Sequence, residues 1–190
     1  MFKNILALVG LVTIIALGVL YFGAKDTFNE FDPKAAETYT DLIKNIIETK
    51  DAASATVWRF PVEEGLSAEE VEETMKFVAN EHNIANVGEL PLSTDISAKQ
   101  GKPYRFVKIF LFCNSLTAAK MLDYNDAFSA YLPCRISLVE DLSGKLWLIS
   151  LNMDLMIHGG KTLPPELKAE AEGVKRIILD IMKRGAEGDF

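Results

Sequence analysis

The strongest constraint on this chain is a stretch near its start that does not read as an ordinary core element. From Ile5 to Ala24 there is no charged side chain, and twelve of the twenty residues are Ile, Leu, Val or Phe. As a helix rising about 1.5 Å per residue the stretch reaches roughly 30 Å, the thickness of the hydrocarbon core of a bilayer. At central positions those twelve residues favour insertion by about 4 to 7 kcal/mol in total, which Thr13 does not offset. A cleaved signal peptide has a shorter apolar region and ends at an A-x-A-like site. Here Phe22-Gly23-Ala24 precedes Lys25, and Phe22 is too bulky for that site. Residues 1–24 are therefore read as a single transmembrane anchor that is retained.

All 27 acidic residues and 19 of the 20 Lys and Arg follow this stretch, so the rest of the chain carries a net charge of −8. A balance this acidic excludes a general nucleic-acid binder, which needs a positive face to displace phosphate counterions. Two cysteines are too few for a disulfide scaffold or a four-cysteine zinc site. Lys3 and the terminal amine precede the anchor, and Lys25 follows it with Asp26, Glu30 and Asp32 close behind. Because acids count little in the positive-inside rule, the small basic bias favours an inside N-terminus and a domain outside the cytoplasm, periplasmic in a bacterium. The expected partners are the lipid bilayer and either a second copy of the chain or other membrane-protein subunits.

Residues 25–53 read as an amphipathic stalk helix. Asp32-Pro33 supplies an N-cap acceptor and a proline at the first helical position, and Ala36, Tyr39, Ile43, Ile46 and Ile47 recur at helical spacing. This stripe packs on the domain or on a neighbouring subunit, or else the helix is a plain spacer with an apolar stripe facing water. Residues 54–190 read as one α+β domain in the order β-α-β-α-β-α-β-β-α. Strands are expected over Ala55–Pro61, Asn86–Leu92, Arg105–Cys113, Cys134–Glu140 and Lys145–Met153, the last two forming a hairpin across Leu142-Ser143-Gly144. Val107, Ile109, Leu111 and Cys113 alternate with Phe106, Phe110 and Phe112, which suggests a strand covered on both sides, at least locally. Ser67-Ala68-Glu69-Glu70 is a capping box that opens a helix carrying Val71, Met75, Val78 and His82 on one face. Ser115–Tyr131 reads as one or two helices. A final helix follows Pro164-Pro165 and stops near Gly185.

Phe112-Cys113-Asn114-Ser115, an Ala-rich helix with Ala118-Ala119, Leu132-Pro133-Cys134-Arg135 and an acidic-Gly hairpin follow one another in that order. This succession resembles the bacterial and archaeal domain-of-unknown-function family 302, from about Ala55 to Met153. Ser115 stands where members usually carry proline. The resemblance implies a compact α+β domain with a curved, largely antiparallel sheet, often a homodimer, and implies no reaction.

The candidate site residues are Cys113, Cys134, Met156 and His158. Cys113 ends a strand just before a helix, where a helix N-terminus lowers a thiol pKa. Cys134 is in phase with Ile136 and Leu138, so both sulfurs are expected on the core side, and they share one end of the sheet if their strands are adjacent and antiparallel. Three readings stand for the pair: small buried hydrophobes, a disulfide outside the cytoplasm, or a reactive or metal-binding thiol pair. Met156 and His158 near the pair would suit copper or a non-covalent haem position, and the absence of C-x-x-C-H excludes covalent c-type haem. The simpler reading puts Met153 in the core and His158 in a loop before Gly159-Gly160. His82 reads as a packed or capping histidine. Gly160-Lys161-Thr162 is not a phosphate loop, because Leu155 stands where its first glycine belongs. The acids Glu63, Glu64, Glu69, Glu70, Glu72 and Glu73 form a solvated helix start or a docking patch for a basic partner. The chain is thus expected to be a membrane-anchored binding or accessory module. The alternative is a thiol redox or metal-binding protein, and an enzyme is the less favoured reading.

Overall fold

The computed structural model describes residues 2–190; Met1, whose amine enters the orientation reading, lies outside them. The apolar stretch forms one helix, α1 (Phe2–Asn29), in which the segment Leu6–Gly23 has a mean hydropathy of 2.4 and no buried residue. At about 1.5 Å per residue α1 is long and apolar enough to cross a bilayer. Thr13 folds its hydroxyl back to donate to the Val9 carbonyl at 2.9 Å, which satisfies the one hydroxyl near the middle of the run within the helix.

The stalk is not one continuous helix. The first helix runs on to Asn29, the chain turns over Glu30–Lys34, and α2 (Ala35–Thr49) is followed by a single turn, α3 (Ala52–Ala55). Asp32 therefore does not cap α2. Its carboxylate accepts the Lys34 N–H at 3.0 Å, and its side chain then points inward. α2 lies against the domain through Ala35, Thr38, Leu42 and Asn45, which recur at helical spacing and are buried or half-buried. Ile43, Ile46 and Ile47 are on the other side and exposed, and Tyr39, also exposed, reaches the domain only with its hydroxyl. The helix packs on the domain, but not with its apolar stripe.

The domain is an open sheet of five antiparallel strands in the order β1-β5-β4-β3-β2. The strands are β1 (Val57–Pro61), β2 (Ala85–Leu90), β3 (Val107–Cys113), β4 (Cys134–Glu140) and β5 (Leu146–Leu151). Between them come α4 (Ala68–Glu81), α5 (Leu92–Gln100), α6 (Ser115–Tyr124) and a 3-10 turn (Asp126–Ala130), and after β5 come α7 (Asp154–His158) and α8 (Pro165–Glu187). α4 starts at Ser67 with the capping box in place: Ser67 accepts from the Glu70 N–H, and Glu70 accepts from the Ser67 N–H at 2.7 Å. His82 is at its C-cap and pairs through Nε2 with Asp180 of α8 at 2.7 Å, so it serves as a capping and packing histidine.

α4 and α8 cover one face of the sheet. Phe110, Phe112, Ile136, Leu138 and Leu148 meet Val71, Met75, Val78, Ile178, Ile181 and Met182 in a single core. Gly185 permits the close approach of α8, because a Cβ there would sit 2.6 Å from Met75 Cγ and 3.2 Å from Leu148 Cδ1. The opposite face is less covered: Ile109, Leu111, Trp147 and Ile149 are only half-buried, and α5 lies beside β3, where Ser93 donates to the Val107 carbonyl at 3.2 Å. The double-sided apolar pattern of β3 thus reflects one packed face and one partly open one.

Candidate functional site

β3 and β4 are adjacent and antiparallel, with Phe112 opposite Cys134, so the end of one strand and the start of the next bring both cysteines to the same sheet end. Asn114 starts α6 there, its side chain accepting from Leu116 N–H and Thr117 N–H, each at 3.2 Å. Cys113, Cys134, Met121, Met153 and Met156 line one cavity of about 80 Å3, together with Ala171 and Val174 of α8. Neither cysteine is in a disulfide. The helix-start effect expected for Cys113 is outweighed: burial raises its pKa, and a hydrogen bond with Ser115 only partly opposes this. Burial, with a further contribution from Cys113 close by, pushes the Cys134 thiol up to about 11. A charged sulfur loses its hydration in an apolar wall, so both cysteines are thiols at neutral pH.

A second buried cluster ties the turn after α1 to the domain. The Asp32 side chain is inaccessible to solvent, and its carboxylate meets Lys168 Nζ of α8 and His158 Nδ1 at 3.2 Å. Burial raises its pKa, but Lys168, the Lys34 N–H and His158 together overcome this and hold it below 3.8. On its other ring nitrogen His158 is 3.8 Å from Glu172. Backbone bonds reinforce the cluster: Asp32 N–H donates to Gly160 O at 2.8 Å and Thr162 N–H to Glu30 O at 2.9 Å. Tyr39 Oη of α2 donates to Gly159 O at 2.6 Å. Position 159 has no room for a side chain, since a Cβ would lie 2.4 Å from the Leu155 carbonyl oxygen. Between α2 and the domain this arrangement leaves a polar cleft of about 470 Å3, reached by His158, Asp154 and Lys175.

A family model described as Domain of unknown function DUF302 matches residues 58–185. The chain belongs to that family. The match extends past the hairpin to take in α7 and nearly all of α8, further than the cysteine segments alone indicate. The domain is also similar to a solved structure, an uncharacterized conserved protein DUF302 from Bacillus stearothermophilus, at 16% identity and a TM-score of 0.55, over 68% of this chain and 97% of that one. At that identity the likeness shows the fold alone. A search of the curated proteins finds no match.

The DUF302 domain contains Cys113, Cys134, Met156 and His158, and α1 and α2 lie outside it. The structure brings three of these four residues together. Met156 shares the cavity with the cysteines, whereas His158 is the last residue of α7 and buried against Asp32 in the separate cluster, not in a loop. Among the described residues no three His, Cys, Asp or Glu side chains converge as a metal-binding group. Sequence reasoning missed Asp32 as an inward-facing residue because its position before Pro33 reads as a cap. It missed Met121 because an isolated methionine in a helix carries no signal beyond core packing. The acidic stretch is partly committed within the domain. Glu70 caps α4, and Glu72 bonds Lys76 at 2.5 Å and Lys108 at 2.6 Å, leaving Glu63, Glu64, Glu69 and Glu73 on the surface.

Proposed function

We propose that this chain is a membrane-anchored accessory module: α1 remains in the bilayer, the DUF302 domain sits outside the cytoplasm, and α2 docks on another membrane subunit or a second copy of the chain. The observation that carries this reading is the bare side of α2. Ile43, Ile46 and Ile47 are 57%, 39% and 68% exposed, while the opposite side of the same helix is held on the domain. An apolar row of this length on a helix that is already packed elsewhere is costly in water and is useful when a partner covers it. The Asp32 cluster supports the same reading, because it fixes the domain to the turn directly after α1. A loosely tethered carrier needs no such pin.

The test is extraction of the full chain in a mild detergent with a photo-crosslinking residue at position 43 or 47, and at position 38 for comparison. The reading expects crosslinks to a membrane subunit or a second copy from 43 and 47 and none from 38. An isolated monomer with no adduct at any position would contradict it.

A further inference from the structure

The chain has two cysteines and six methionines. Five of these eight sulfur side chains line the cavity at the end of β3 and β4. Its size narrows what it holds. About 80 Å3 is far below the roughly 300 Å3 at which pockets for organic ligands begin, so neither a haem nor a drug-sized molecule fits, whereas a single ion does. Its chemistry narrows it further. No carboxylate and no imidazole lines the cavity, and Asn114 Oδ1 already accepts from two backbone N–H groups, so the charged oxygen donors that calcium and magnesium favour and the nitrogen or extra thiolate donors of a zinc site are absent from it. Thiolate and thioether sulfur are the ligands that select monovalent copper. The only charged lining residue is Arg135, which is exposed and in the opposite phase of β4 from Cys134.

We propose that this cavity is a Cu(I) site, with Cys113, Cys134 and Met156 as its ligands. Binding exchanges one thiol proton for the ion: an S–H bond breaks, a Cu–S bond forms, the proton leaves to solvent, and no electron is transferred. One thiolate and Cu(I) make a neutral pair, and the remaining thiol and thioether add no charge, so the complex suits apolar walls that a hydrated divalent ion would not tolerate. His158 is not a ligand, since Asp32 and Glu172 occupy its surroundings.

The experiment uses the full chain in detergent, reduced and freed of metal, titrated with Cu(I) in competition with a chromophoric Cu(I) chelator. The expected result is one Cu(I) retained per chain with a thiolate-to-copper absorption band. Retention should be lost in the Cys113→Ser/Cys134→Ser double variant and weakened on the order of tenfold in Met156→Leu, which keeps the volume of the side chain. Zn(II) at the same concentration should not be retained. X-ray absorption of the loaded wild-type protein should show sulfur alone in the first shell, a readout that holds even where a cysteine variant does not fold. The proposal is overturned by absence of retained Cu(I), by equal retention in folded variants, by equal retention of Zn(II), or by a nitrogen or oxygen first shell.

Discussion

Met156 and His158 are two residues apart on one five-residue helix, yet they belong to different sites. Residues two apart on a helix point about 200° from each other, so Met156 enters the sulfur-lined cavity and His158 the buried cluster with Asp32. The two sites solve opposite problems. The cluster is charged, and each of its groups has a partner: Asp32 meets Lys168, His158 and a backbone N–H. The sulfur groups of the cavity are uncharged, its cysteines kept as thiols by the same burial that the cluster overcomes with ion pairs. A buried carboxylate that has charged partners fixes one part of the molecule to another, whereas half-buried sulfur beside a cavity leaves room for a guest.

If the two sites differ in this way, they should fail differently. The largest effect is expected for Asp32→Ala, which strands Lys168 and His158 against each other. Removing one member of a buried charged set costs on the order of 3 kcal/mol, and thermal unfolding of the full chain in detergent measures it. Limited proteolysis after Pro33 should speed up in the same variant, because the pin between the turn after α1 and the domain is gone. Next comes Gly159→Ala, whose Cβ meets the Leu155 carbonyl at 2.4 Å. That is a backbone atom that cannot swing aside, and a cost of about 2 kcal/mol is expected in the same assay. Cys134→Ala, by contrast, removes one sulfur from a wall already beside a cavity, and about 1 kcal/mol is expected.

The pH profile separates the two sites without any mutation. Asp32 has a folded pKa below 3.8, so its contribution is complete above that value and is lost as the pH falls through the lowered folded pKa. Glu89 acts in the same direction, drawn down to about 2 first by Lys108 and then by Lys76. Cys134 has a folded pKa raised from 9.0 to about 11, so its contribution is complete below pH 9 and is lost as the pH rises toward 11. Unfolding midpoints should therefore fall at the acid end in the wild type and less so in Asp32→Asn. At the alkaline end they should fall in the wild type and less so in Cys134→Ala. The smallest effect is expected for Tyr39→Phe, which loses one exposed hydrogen bond to Gly159 O and should cost about 0.5 kcal/mol.

The elements with a strong period were legible from the residues. The alternation in Val107–Cys113, the capping box at Ser67 and the proline start at Pro164-Pro165 each correspond to a strand or helix in the structure. The cysteines were rightly expected at one sheet end on the condition of adjacent antiparallel strands, which the register meets, but not both in the core phase of the sheet, since Cys134 pairs with Phe112 while Cys113 alternates with it. What the sequence does not carry is direction. Asp32 before a proline has the pattern of a cap, and only the docking of α2 turns it inward. The Ile stripe of α2 has the pattern of a buried face, and only the placement of Ala35, Thr38, Leu42 and Asn45 against the domain shows that it is the bare one. Met156 and His158 look like neighbours in the sequence until the five-residue helix separates them.

The claim on which the functional reading rests is that α1 stays in the bilayer with the domain attached. Alkaline carbonate extraction of membranes, followed by the intact mass of the chain, tests it directly. The account predicts a protein that remains in the membrane pellet and retains residues 5–24. A protein released to the supernatant whose sequence begins after Ala24 would contradict it.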